Sequence, residues 1–300
     1  MSFEEMAAAL EESGAYRVLR RLDPQGAIAD PSHYAGVPPG DLRNGLYLDL
    51  ETTGLDSARD EIIEFAMVPF TYTIDGRITS IGEPFDRLRE PSCPIPPEIT
   101  ALTGITDEMV RGQTITRDEI AAVAAPAHLV IAHNAAFDRP FAEKFCDVFT
   151  TKPWACSMAQ IPWAEEGFEG TKLGYLVNHA GFFFDAHRAG DDCLAALTLL
   201  GRTLPKSGRT ALERLLENAR QPICRIWAVN SPFDFKDQLK ARGYRWNADP
   251  SHKPRSWYRD VTAEALEAEL AFLQKEIYQY DADIPVDRIA ATDRFSNRIF

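Results

Sequence analysis

The sequence predicts an α/β chain built on a five-stranded mixed sheet flanked by helices, followed by a smaller α+β unit. Three observations carry this reading. Three β-rich runs, 45–51, 61–72 and 78–88, follow one another across connections too short for a crossover, so they must pair antiparallel. Beyond them, apolar strands alternate with helical patterns, which calls for crossovers and parallel pairing. A Pro205-Lys-Ser-Gly208 break then separates a compact second segment.

Taken in order, residues 2–22 place Phe3, Met6, Leu10, Val18, Leu19 and Leu22 on one apolar stripe and predict an amphipathic helix. Residues 23–44 carry Pro24, Gly26, Pro31, Gly36, Pro38, Pro39 and Gly40, a linker composition, so 1–44 reads as an N-terminal helix and linker. The first strand, Gly45-Leu-Tyr-Leu-Asp49-Leu-Glu51, breaks at Thr52-Thr53-Gly54. After the meander, short helical patterns fall at 97–103 and 116–125. A buried strand, His128–His133, leads into a helix from Ala136 to Phe149. Residues 152–158 make the fifth strand, and helices at 173–180 and 191–204 complete a domain spanning 45–204. In a second domain, 205–280, a helix at 210–220 leads to a strand at 223–229 and a helix at 233–242. Short strands near 244–246 and 257–258 and a charged helix at 262–278 follow. Residues 281–300 read as a polar tail.

Hydrophobic content of 45% with 26% charged residues describes a globular chain. No apolar run approaches the roughly 20 residues of a membrane span, and Met1-Ser-Phe-Glu-Glu5 shows no secretory pattern. The five cysteines are scattered without a C-x-x-C. That excludes a zinc cluster or disulfide framework and fits free thiols in a reducing, cytoplasmic setting. A net charge of −13 argues against a uniformly basic nucleic-acid binder. Between Lys206 and Asp260, however, 12 Lys/Arg face 6 Asp/Glu, a balance of +6 that leaves −19 for the rest of the chain. Such asymmetry points to polyanion contact by one segment.

The acidic remainder is patterned. Along a strand the side-chain period is two, so Asp49 and Glu51 share a face. Two like charges on a core strand repel and are costly to desolvate, and a hard divalent cation offsets both effects. A lone D-x-E is more often a solvated pair. A second acidic segment, His133-Asn134-Ala-Ala-Phe137-Asp138, lies where a buried strand hands over to a helix, a common place for sites in α/β sheets. A third is His187-Arg-Ala-Gly190-Asp191-Asp192. On one helix His187 and Asp192 would point about 140° apart, so they converge only if the helix begins near Gly190. Together the segments supply four carboxylates and a histidine. Four negative charges match two Mg²⁺ or Mn²⁺ ions, the arrangement that clamps attacking and leaving oxygens in phosphoryl transfer. His187 is suited to take the proton of an attacking water.

D-x-E-T-T-G, H-N-x-x-F-D and H-R-A-x-x-D, in this order and spacing, resemble the DEDD 3′–5′ exonucleases of the histidine subtype, the DnaQ-like family. Its members include the proofreading subunit of bacterial DNA polymerase III, ribonuclease T and oligoribonuclease. The resemblance covers 45–204 and implies a ribonuclease-H-like fold that releases 5′-nucleoside monophosphates from a free 3′ end. Carried over by position, it implies that Asp49, Glu51 and Asp192 hold one metal, that Asp49 bridges to a second, and that Asp138 binds through a water or stands just behind the direct ligands. His187 becomes the general base. The backbone of Thr52 and Thr53 would meet the terminal 3′-hydroxyl, while Phe137 and the Leu102-Thr103-Gly104-Ile105 loop would wall the last nucleotide. In proofreading subunits the Thr103 position can be histidine, a departure at the terminal contact.

Tyr244-Arg245-Trp246 and Arg255-Ser-Trp257-Tyr258-Arg259 interleave rings and cations, a way of holding single strands without reading sequence. The plainer reading is a tryptophan core with a basic rim. The T-T-G and H-N-x-x-F-D forms favour DNA as the nucleic-acid partner. The rivals are an exonuclease acting on oligoribonucleotides and a nucleic-acid-binding subunit with a vestigial nuclease fold. A polymerase or repair partner is compatible with the chain, no membrane contact is expected, and the sequence leaves oligomeric state open.

Overall fold

The structure, a computed structural model, describes residues 1–23, 38–248 and 254–299. Most of the predicted linker, together with His33 and His252, lies outside the described residues. The chain divides into two compact units, Met1–Asn218 and Ala219–Phe300.

In the first unit, α1 (Phe3–Glu12) is closed by a Ser2/Glu5 capping box and stops at Ser13-Gly14, where Gly14 takes φ +69°. The predicted helix over 2–22 is therefore shorter. Its second half runs extended to β1 (Arg20–Arg21), parallel to β8 (Phe182–Phe183). The central strands are β2 (Leu42–Thr52) and β3 (Ile62–Thr73), antiparallel along almost their whole length. Leu42–Asn44, assigned to the linker by composition, belongs to β2. The predicted third strand is two: β4 (Ile78–Ile81) and β5 (Phe85–Leu88), both antiparallel to β3. Gly82-Glu83-Pro84 interrupts it because proline has no N–H for the ladder. The sheet thus has six strands rather than five. On the other side of β2 lie β6 (Leu129–Ala132) and β7 (Trp154–Cys156), both parallel, in the order β4-β3-β2-β6-β7. This is the mixed sheet of ribonuclease-H-like nucleases.

Near-continuous burial along β3 shows that both sheet faces are covered. The helices are α2 (Pro97–Thr103), α3 (Asp107–Val110), α4 (Arg117–Ala124), α5 (Ala135–Phe145), α6 (Leu173–His179) and α7 (Ala189–Leu200), with α7 packed on β2 and β3. Ile95, Ile105 and Val110 of the α2–α3 region pack on Ile63 at the start of β3, the end of the sheet where β2 finishes.

α8 (Ala211–Ala219) buries Ala211, Leu212, Leu215 and Leu216. It is pinned to the first unit by Thr210 Oγ1, which donates to the Gly76 carbonyl, and by Asn218 Nδ2, which donates to Gln160. The division consequently falls after Asn218 and not at the Pro205–Gly208 break.

The second unit is an antiparallel sheet ordered β10-β11-β9-β12: β9 (Ile223–Ala228), β10 (Arg245–Asn247), β11 (Ser256–Thr262) and β12 (Val286–Ile289). On one face α9 (Lys236–Ala241), α10 (Leu266–Phe272) and a π-helical turn, Leu273–Tyr278, enclose a core of Cys224, Ile226, Ala228, Leu239, Tyr244, Val261, Leu273 and Ile277. The predicted helix at 262–278 begins later, because Thr262 still belongs to β11. Residues 281–300 are no tail: they supply β12, and the buried Arg294 donates to the carbonyls of Ala219 and Gln221.

Gly76 shows how tightly α8 is seated. Its φ is +88°, and a β-carbon there would lie 2.5 Å from Glu213 Cα. Gly76→Ala is expected to destabilise the chain by roughly 1–3 kcal/mol, read as a lowered midpoint in urea denaturation. An unchanged midpoint would mean that α8 is not docked here.

Candidate active site

β2 ends by placing Asp49 and Glu51 on one face, with Glu51 opposite Glu64 of β3. The register shifts between Glu51 and Thr52, so the strand breaks its pairing directly after the second carboxylate. α5 contributes Asp138 from its first turn, buried, with the N–H of Leu50 directed at its carboxylate. α7 contributes Asp192. Oxygens of Asp49, Glu51 and Asp192 lie within 4.8 Å of one another. Asp138 exerts the strongest charge effect on Asp49, so it faces the same cluster. The four acids that the sequence places in three separate segments meet at one strand end.

His187 stands just outside α7 with φ +68°, a left-handed conformation that breaks the helix before Ala189. The helix therefore starts near Gly190, as the His187–Asp192 spacing requires. Gly190 itself leaves room for a neighbour: a β-carbon there would lie 2.4 Å from Asp86 Oδ2. The main-chain N–H of His187 donates to Asp192 Oδ2 at 2.8 Å. The imidazole is exposed and, among the described residues, has no hydrogen-bond partner.

Sequence reasoning missed Glu64. Fully buried, it accepts from Arg188 Nε at 2.9 Å and Nη2 at 2.7 Å through Oε1, and from the Ala189 N–H at 2.8 Å through Oε2. One carboxylate thereby ties the first residues of α7 to β3. The available signal was a glutamate inside the otherwise apolar run Ile62-Ile63-Glu64-Phe65-Ala66.

The other expected contacts divide. Thr52 Oγ1 donates to the Gly54 carbonyl, and the Thr53 N–H donates to the Glu61 carbonyl at 2.8 Å. The Thr53 amide is thus committed within the fold, and a terminal hydroxyl would fall to Glu51 and Thr52. Thr103 is buried, with its hydroxyl donating to Ile99 and accepting from the Ile105 N–H, so it closes a helix end instead of presenting a polar group. Leu102 is 54% exposed, and Phe137 is half-buried against Phe141 at 5.2 Å. Both leave apolar surface uncovered. His133 braces the fold: its ring meets Ser157 Oγ at 2.9 Å and the Thr171 carbonyl at 2.7 Å.

Crowding raises every carboxyl of the cluster. Burial, then Asp138, Asp192 and Glu51, pushes Asp49 well above the carboxylate range. Glu51 is raised to about 8 by burial and then by Asp192 and Glu64. Asp138 is raised to about 8 and Asp192 to about 6, burial leading in both. Cys193 is adjacent, but burial and Asp49 hold its thiol protonated, so the donors are oxygens alone. An all-carboxylate set of this density fits a hard divalent cation.

A mixed sheet carrying such a cluster at the end of its first long strand is the arrangement that the resemblance to the DEDD nucleases implies. Residues 46–200 match the RNase T family of exonucleases, and the chain belongs to that family. It is 30% identical over 185 residues to an uncharacterized exonuclease, CP81, of Escherichia phage 186, covering 54% of this chain and 89% of that protein. It is 34% identical over 163 residues to the PolC-type DNA polymerase III of Clostridium perfringens, covering 51% of this chain and 10% of the polymerase. The chain thus spans only a tenth of that relative's length. Among solved structures, exonuclease X in complex with 5′-overhanging duplex DNA aligns with a TM-score of 0.45 at 25% identity, over 58% of this chain and 99% of that one. No helix among the described residues is long and apolar enough to cross a membrane.

The raised carboxyls set a pH dependence. Their folded pKa values exceed the unfolded ones, so between about pH 4 and 8 the native state binds more protons and loses stability as pH rises. In EDTA the melting temperature is expected to fall between about pH 5 and 8. Added Mg²⁺ or Mn²⁺ should restore it more at pH 8 than at pH 5, because binding requires the carboxylates deprotonated. Scanning calorimetry checks both, and a metal-independent, pH-flat transition would contradict the cluster.

Proposed function

We propose that the first unit is a 3′–5′ exonuclease that removes 5′-nucleoside monophosphates from single-stranded or frayed 3′ ends, with DNA the favoured substrate. The observation that carries this reading is the meeting of Asp49, Glu51 and Asp192 within 4.8 Å beside buried Asp138. His187 stands at the same helix start with its ring exposed and unpartnered among the described residues.

In this reading Asp49, Glu51 and Asp192, with Asp138 beside them, would hold two Mg²⁺ or Mn²⁺ ions. When bound, such ions would supply positive charge for activating water and stabilising the leaving 3′ oxygen. The chain's own groups do the rest. Asp192 is oriented by the His187 main chain, so the ring stays free to take a proton from water as general base. Glu51 and Thr52 contact the terminal 3′-hydroxyl, which only the last nucleotide offers. Leu102 and Phe137 pack on its base. The PolC-type relatives support DNA and a polymerase or repair partner, a role this chain would serve with about half its length.

Asp49→Ala and Asp192→Ala are expected to abolish digestion of a 5′-labelled oligonucleotide in Mg²⁺ or Mn²⁺. His187→Ala should lower kcat by about 10²–10⁴-fold with little change in KM. Full activity in any of the three would refute the assignment. Matched DNA and RNA oligomers run in parallel decide the substrate: faster loss of DNA is expected, and faster loss of RNA would transfer the assignment to oligoribonucleotides.

A further inference from the structure

The second unit sorts the interleaved rings and cations of the sequence into two groups. Tyr244 is buried, donating its hydroxyl to Glu269 at 3.0 Å, and Arg242 and Arg259 both pair with the same Glu269. Arg225 is buried against Asp260, and Tyr258 packs on Trp227. These residues maintain the fold. A different set remains at the surface. β10 is an edge strand, paired only with β11, and Trp246 stands opposite Trp257 with ring centroids 5.6 Å apart. Trp246 is 50% exposed. Lys240 Nζ lies 5.9 Å from the Trp257 ring, and Lys236 Nζ lies 4.1 Å from the ring of Phe233, which is 75% exposed. Lys236 and Lys240 are one helical turn apart on α9, so they share a face.

The contacts therefore join Phe233 to Lys236 and Lys240 to the Trp257–Trp246 pair, with the two lysines one turn apart on α9 linking the two sets. Among the described residues neither lysine has a carboxylate partner. Asp234 and Asp237 lie beside this group, yet residues 233–259 carry seven Lys/Arg against three Asp. The exposed rings of Trp246, on the sheet edge, and of Phe233, just before α9, are a liability unless something covers them. Rings grouped with ammonium ions match a polymer of bases and phosphates.

We propose that this group is a binding platform for single-stranded nucleic acid, with bases stacked on Trp246 and Phe233 and phosphates on Lys236 and Lys240. Stacking on rings and phosphate contact carry no base-edge information, so the platform would hold strands regardless of sequence. The inference shares with the exonuclease reading only the class of polymer. Its residues belong to another unit.

The test uses the full chain carrying Asp49→Asn, which keeps oligomers intact, and fluorescein-labelled dT20 or rU20 read by anisotropy at several salt concentrations. Trp246→Ala should weaken binding by about tenfold or more, while Trp246→Phe retains most of the affinity. Lys236→Gln with Lys240→Gln should flatten the log–log salt slope by about 1.4, two contacts at ~0.7 each. The dT and rU arms show whether the platform prefers one sugar. Unchanged affinity and slope in these variants would overturn the proposal. So would displacement by polyglutamate as effective as that by unlabelled dT20, since an acidic peptide would then satisfy the cations alone. Trinucleotide hydrolysis, measured with Asp49 restored, reports the exonuclease reading separately. It should be equal in wild type and the platform variants, and a parallel fall would show a general loss of fold and sink the platform.

Discussion

Charge density at the end of β2 organises the first unit. A period of two puts Asp49 and Glu51 on one face, the antiparallel register brings Glu64 alongside, and two helices add Asp138 and Asp192. Nothing about folding favours this gathering. Burial and mutual repulsion raise Asp49, Glu51, Asp138 and Asp192 alike, so the metal-free cluster opposes the fold that creates it. The surrounding structure must over-determine the geometry. It does so with a sheet buried on both faces and a helix, α7, packed on the two central strands.

Glu64 shows how that is achieved. The charge of Arg188 acts on Glu51, and Glu64 holds that guanidinium with two hydrogen bonds. Glu64 also receives the Ala189 N–H, which stops the first turn of α7 from sliding along β3. With α7 anchored there, the left-handed His187 is the joint that turns the chain into the helix. Its N–H goes to Asp192 and its ring goes to solvent. A single buried carboxylate therefore holds the Arg188 charge beside Glu51 and fixes the start of the helix that carries Asp192. Strain at His187 is consistent with a conformation retained for positioning and not for local stability.

Much of this was legible in the residues. The D-x-E spacing, the strand-to-helix hand-over at Asp138 and the glycine beside Asp192 each point to a shared pocket, because periodicity fixes which side chains can meet. Glu64 was not legible from spacing, since its partner Arg188 lies 124 residues away and only the packing of α7 on β3 makes them neighbours. The β4/β5 interruption was written in Pro84 but read as continuous, because alternation on either side of it was strong. The division between units was misplaced for a related reason. Pro205 to Gly208 has the composition of a boundary, yet the helix after it has an apolar face that the first unit buries. Composition marks where a chain can bend. It does not say which side of the bend an amphipathic helix will dock on.

The second unit makes the same point for charge. Counting ring and cation residues in 242–259 overstates the surface available to a polyanion, because Glu269 engages Arg242, Arg259 and Tyr244 at once. Each is individually the kind of residue that meets nucleic acid, and together they form a polar knot around the buried Glu269. Such a knot is retained only if every member is satisfied, which is why the glutamate takes three partners. What is left outside is smaller and partly different: Phe233, Lys236 and Lys240 lie outside the interleaved motifs and reach the surface group through α9. A basic net charge in a segment is thus evidence of function only after the internally paired cations have been removed from the count. In this unit the removal leaves the exposed rings of Phe233 and Trp246 together with the ammonium groups of Lys236 and Lys240, exposure that packing within the domain does not require.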